Sequence, residues 1–144
     1  MPFDNDKVEA LLMSMPCEVA VKCVLPVVRS MVAKELTVKY GLKQTEVAKK
    51  LSVSQPAISL YRRKLRGKAI DLENDEDIRN QIQKIARRLV EDEPTRRDLI
   101  PKYCEICKTI RGKGLLCDLH KTFDSKIDLE KCRLCYGQDS LGCT

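Results

Sequence analysis

Six residues able to bind a metal recur near the C-terminal end of this 144-residue chain with the spacing C-x2-C-x9-C-x2-H-x11-C-x2-C: Cys104, Cys107, Cys117, His120, Cys132 and Cys135. No other feature restricts the fold as much. Donors spread over 32 residues can share one ion or cluster only if the chain between them turns back on itself. His120 is the chain's one histidine, and the eighty residues before Cys104 hold no cysteine. A single C-x2-C is weak evidence, but two of them with a C-x2-H between is strong evidence for a metal. The tail from Cys104 has few apolar residues, so bound metal is expected to supply part of its folding energy.

The chain has eight cysteines in all, and their redox state depends on where it resides. The N-terminus, MPFDND, is acidic and lacks the charged-then-apolar pattern of a secretion signal. No run approaches the roughly 18 apolar residues that span a bilayer. A cytoplasmic, membrane-free protein with mostly reduced thiols is therefore expected, which favours metal or redox chemistry over structural disulfides. Intracellular bridges in hyperthermophiles keep a disulfide reading open. Cys17 and Cys23, six residues apart, fall about 240° apart around a helix and are expected to be small buried hydrophobes.

Hydrophobic residues make up 43% of the chain and aromatics 4%, with no Trp, which points to aliphatic helix-on-helix packing. The expected fold is all-α. VEALLMSM places Val8, Leu11 and Leu12 on one stripe, with Pro16 interrupting that helix. From Pro26, expected as a break or first-turn residue, Val27, Val28, Met31, Val32 and Leu36 repeat at helical spacing up to a stop at Gly41. AIDLEND reads as an acidic linker. DEDIRNQIQKIARRLVEDE is amphipathic, with Ile78, Ile82, Ile85 and Leu89 on one face, and Pro94 ends it. That stripe either packs on the helices before it or pairs with a second subunit. TRRDLIPKY predicts one more helical turn before Pro101, after which the cysteine-rich segment begins.

Between these lies KQTEVAKKLSVSQPAISLYRRKLRGK, two short helices joined by a tight turn. Val47 and Leu51 are apolar at i and i+4, Ala48 is small where two helices approach, and Val53 points back to the core. Ser54 is a good N-cap, Pro56 suits a first turn, and Ile58 and Tyr61 face inward. Ser52 falls where the backbone needs a left-handed residue, a position glycine usually takes. This is the spacing of a DNA-binding helix-turn-helix. Between Ala33 and Lys68 ten Lys/Arg stand against Glu35 and Glu46, a surplus of eight, whereas the whole chain carries +6. A local one-sign surplus of that size marks a polyanion-binding face more often than a solvated one. A helical hairpin with solvated lysines is the plainer alternative. The residues expected to meet DNA are Gln44, Thr45, Ser54, Gln55, Ala57, Ser59, Arg62, Arg63, Lys64 and Arg66, with Gln55 and Ser59 at base edges and the basic residues at phosphates.

LKQTEVAKKLSVSQPAISLYRRKLRGK resembles the lambda-repressor-like (XRE) helix-turn-helix class, and residues 15–68 are similar to the N-terminal module of archaeal XRE-type regulators. The resemblance implies transcriptional regulation and dimeric binding to an operator. It does not cover the tail. In some of these regulators a thiamine-phosphate-synthase-like sensor domain follows the module; the 41 residues from Cys104 are too few to replace it, so no effector carries over.

Three divisions organise the chain: a helix-turn-helix domain over residues 1–70, a linking or dimerisation helix over 71–100, and a cysteine-rich metal-binding domain over 101–144. Its ligands could be Cys104, Cys107, Cys132 and Cys135 as a zinc ribbon, with Gly137 turning the chain. They could be Cys104, Cys107, Cys117 and His120 as a zinc site, or four of the five cysteines around an iron–sulfur cluster. A regulator without a small-molecule domain needs a sensor, so an iron–sulfur cluster is expected, with structural zinc as the alternative. Cys143 is expected to be a frayed terminal thiol. The chain has no phosphate loop, nucleophile elbow or H-E-x-x-H, and its C-x2-C motifs lack a βαβ setting, so neither an enzyme nor a small-molecule substrate is expected.

Overall fold

The computed structural model describes residues 13–135. Within them the fold is all-helical, with no strand. The stripe expected around Val8 lies almost wholly outside the described residues, as do Gly137 and Cys143. Helix α1 (Pro16–Val19) runs through a π-helical segment (Ala20–Val24) directly into α2 (Leu25–Val38). Pro16 opens this helix: at the first helical position its missing N–H would have had no partner anyway. Of the two roles expected of Pro26, it takes the first-turn one, in α2, without breaking the chain. It has no N–H to offer the carbonyl one turn back, and the π segment just ahead of it widens the turn, with Leu25 N–H bonding to the Ala20 carbonyl. Gly41, at φ +66°, stops α2, and Leu42 N–H closes back on the Leu36 carbonyl at 3.2 Å.

Helices α3 (Gln44–Leu51) and α4 (Gln55–Arg62) follow, then an irregular stretch pinned by Leu72, which is 1% exposed. Helix α5 (Glu76–Glu91) starts at Asp75, whose carboxylate accepts the Ile78 N–H at 3.1 Å. Its acidic first turn suits the helix dipole. Ile78, Ile82, Ile85 and Leu89 are all buried, and α5 packs along α2. The stripe is thus consumed inside the chain, which decides between the two fates open to it.

Helix α6 (Arg96–Gly112) corrects a boundary. It begins at Thr95, whose N–H bonds Asp98 at 2.9 Å, and continues straight through Pro101 to take in Cys104 and Cys107. Pro101 is exposed at the sixth position, so its ring and missing donor cost the helix less than they would deeper in a packed face. Helix α7 (Cys117–Phe123) completes the fold and packs on α1. One hydrophobic cluster runs from Val19 to Leu116, and Ile106, Ile110 and Leu116 belong to it. The first part of the cysteine-rich segment is therefore held by aliphatic packing on the preceding helices.

Candidate nucleic-acid interface and candidate metal ligands

The turn between α3 and α4 has the geometry its residues call for. Ser52 adopts φ 54°, ψ 40°, the left-handed conformation, at a cost of about 1 kcal/mol for a residue with a Cβ. Val53 N–H then returns to the Ala48 carbonyl at 3.0 Å, and Ser54 Oγ accepts the Ala57 N–H at 3.3 Å. Pro56 occupies the first turn of α4. Val47, Ala48, Ile58 and Tyr61 are buried between the two helices and α2, as their pattern requires. Past α4 the chain caps itself: Lys64 takes φ 55°, and Leu65 N–H bonds the Leu60 carbonyl at 3.0 Å.

Thr45, Ser54, Gln55, Arg62, Arg63, Lys64 and Arg66 are exposed, while Gln44 and Ser59 are half-buried. Ala57 differs from expectation. It is 7% exposed, so its methyl group serves helix packing and its side chain offers no surface to a base. Gln44 and Gln55, each the first residue of its helix, are joined: Gln55 Nε2 donates to Gln44 Oε1 at 2.7 Å. The bond holds the Gln55 amide in one orientation while its own oxygen stays available as an acceptor. Arg66 lies with its guanidinium 5.8 Å from the centre of the Tyr61 ring, which fixes one of the basic side chains beside the end of α4.

The metal-ligand candidates divide. Cys104 and Cys107 lie one turn apart on α6, Cys117 and His120 one turn apart on α7, and Cys132 and Cys135 in the irregular segment beyond. Cys117, His120, Cys132 and Cys135 line a small cavity floored by Leu116, Ile127 and Leu129. Burial pushes the Cys135 thiol up; the Arg111 guanidinium works against that, and the neighbouring Cys117, Cys132 and Cys107 thiols add to it. Cys104 and Cys107 instead line a groove against α6, together with Cys17. His120 is buried and its Nε2 lies 2.6 Å from the Ser14 carbonyl, so that nitrogen already has a partner. Among the described residues no three or more His, Cys, Asp or Glu side chains are arranged to hold a metal ion. The donor chemistry thus fits a thiolate-bound centre, but the side chains would have to close on it.

Two residues were not anticipated. Cys17 is exposed, not buried, because α1 turns it away from the core. Arg111 is 5% exposed, with Nη1 3.6 Å from the Cys17 sulfur. Its sequence signal was its position four residues after Cys107 on a shared helix face, legible only once α6 is known to pass Pro101. No helix among the described residues is long and apolar enough to cross a membrane. Compared with protein-family models, curated proteins and solved structures, the chain finds no match.

Proposed function

We propose that this protein is a sequence-specific DNA-binding regulator of the helix-turn-helix kind, with α4 entering the major groove. The observation that carries the reading is the Gln44–Gln55 hydrogen bond at the tip of the basic face. A glutamine held in one orientation at the first position of a recognition helix can bond an adenine edge in bidentate fashion without first losing the freedom of a loose side chain. Arg62, Arg63, Lys64 and Arg66 supply the phosphate contacts, and Ser59 stands on the same helix as Gln55. Dimeric binding to two half-sites fits this geometry, but it must use a surface other than the α5 stripe, which is buried in the chain's own core.

The second part of the proposal is that the C-terminal thiols hold an iron–sulfur cluster. Cys117, Cys132 and Cys135 line one cavity, Cys107 on α6 is the one further thiol whose charge is felt at Cys135, and the His120 nitrogen is engaged elsewhere. Those four cysteines are the favoured ligand set. An iron–sulfur cluster supplies one-electron chemistry when bound. The chain's own contribution is burial: Leu116 and the rest of the cavity wall limit solvent access to the thiols.

The DNA reading is tested by selecting preferred sites from a random duplex pool and titrating variants on them. Gln55→Ala should flatten the preference at one base pair, while Arg63→Ala should weaken all sequences alike and reduce the salt slope by about one. Full affinity and unchanged preference in both variants would refute it. The metal reading is tested on anaerobically purified protein by its visible spectrum and its iron, sulfide and zinc content. Matched iron and acid-labile sulfide support a cluster; a colourless protein with one zinc per chain would replace it with structural zinc.

A further inference from the structure

A second site lies against α6. A groove of about 480 Å³ runs between the π-helical segment, the turn joining α3 and α4, and α6. Its walls are largely aliphatic: Val21, Leu25, Leu51, Val53, Leu99 and Ile100. Its charged lining is entirely positive, from Arg29, Lys50, Arg96, Lys108 and Arg111, and no Asp or Glu belongs to it. Lys50 is held by its own bond to the Leu89 carbonyl at 2.7 Å.

Arg111 is the informative residue. Its side chain is almost wholly removed from water, its Nε has no hydrogen-bond partner, and no carboxylate pairs with it among the described residues. The one bond from its Nη1 goes to a cysteine sulfur, a weak acceptor. A buried guanidinium without an anion is costly, and the cost is removed when a carboxylate supplies paired acceptors. The π-helical segment forms one wall, and single π turns inside α-helices recur at functional sites.

We infer that this groove binds an amphipathic organic carboxylate, with the carboxylate on Arg111 and a hydrocarbon body along Leu25, Leu99 and Ile100. The volume lies in the range of small-molecule sites, and the combination of apolar walls with a few charged groups of one sign is theirs as well. A DNA backbone carries the right charge but has no apolar body to fill such walls. Because Leu51, Ser52 and Val53 form part of the rim, the ligand would lie against the turn that sets α4 relative to α3. That consequence rests on the DNA-binding reading; the site itself does not.

The experiment is isothermal titration of the full chain, without DNA, with octanoate, octan-1-ol and acetate. Octanoate should bind one per chain, at least about tenfold tighter than either the uncharged chain or the short acid, since a hydrogen-bonded charge contributes more than the factor of ten that 1.4 kcal/mol represents. Arg111→Met should lower octanoate affinity at least tenfold and leave octan-1-ol unchanged. Val21 is 60% exposed, so Val21→Glu should fold normally and repel the carboxylate, giving the same loss if Arg111→Met proves unstable. Octanoate binding no tighter than octan-1-ol, or unchanged in Val21→Glu, would overturn the assignment. DNA affinity does not enter the readout, so this result and that of the operator titration stand apart.

Discussion

Gly67 and Gly41 together form an internal control for how the basic segment after α4 is anchored. Both have positive φ, +71° and +66°. They differ in what a side chain would meet. At Gly41 a Cβ meets nothing within 4 Å, whereas at Gly67 it would lie 2.6 Å from the Pro26 carbonyl oxygen and 2.8 Å from Ser30 Cβ. Alanine in the left-handed region costs about 1–2 kcal/mol, partly offset by about 0.4–1 kcal/mol of lost freedom in the unfolded chain. Gly41→Ala should therefore destabilise by roughly 0.5–1 kcal/mol. Gly67→Ala bears the same backbone term plus an overpacking term of about 1–3 kcal/mol, because the nearest atom is backbone and cannot rotate aside. Its total should reach roughly 2–4 kcal/mol. Urea unfolding followed at 222 nm measures both, provided the slopes match the wild type. Equal losses would mean that the chain after α4 does not touch the start of α2, and the placement of Arg62 to Lys68 argued above would fall with it.

Other expectations follow the same logic. Ser52→Gly relieves the left-handed turn and should raise stability by roughly 0.5–1 kcal/mol, and a drop in the urea midpoint would refute the assignment of strain to this turn. Ile85→Ala empties a fully packed site between α5 and α2 and should cost about 2–5 kcal/mol; a loss under 1 kcal/mol would place the α5 stripe outside the core. The Asp75 carboxyl is held below its usual 3.8, first by the hydrogen bond from Lys113 and then by the Ile78 N–H. A lowered folded-state value adds stability above pH 3.8, which is lost as pH falls through that lower value. The stability gap between wild type and Asp75→Asn should therefore be open at pH 6 and close below about pH 4. A gap that stays constant from pH 6 to pH 3 would contradict the Lys113 contact.

Much of this fold can be read from residue type and spacing. The i, i+3, i+4 recurrence from Val27 to Leu36 and from Ile78 to Leu89 identifies two helices, because only one helical face can be buried at once. Ser54, Asp75 and Gly41 mark ends because each satisfies backbone groups that a helix terminus leaves open. The turn at Ser52 is legible from its neighbours even though its own residue type argues against it: Val53 must point inward, and only a left-handed residue before it allows that. What could not be read lies where local preference and packing disagree. Pro101 argues for a helix end, yet burial of Ile106 and Ile110 on the far side carries the helix past it. Ala57 reads as surface because alanine is neutral to position, and only the approach of the two helices buries it. Arg111 carries no local sign of its burial for the same reason: a single residue's burial depends on elements far away in sequence.

The bond between His120 and the Ser14 carbonyl joins groups 106 residues apart. With α7 resting on α1, the described chain is nearly a closed ring, and its two ends define each other's position. The entropic cost of closing so large a loop grows only slowly with length, but it must be met before any of the contact is gained. During synthesis, α2 to α5 can settle on one another as they emerge, while α1 waits for a partner made about a hundred residues later. The groove wall built by the π-helical segment and the thiol-lined cavity beside α7 would then be the last parts of the molecule to take shape.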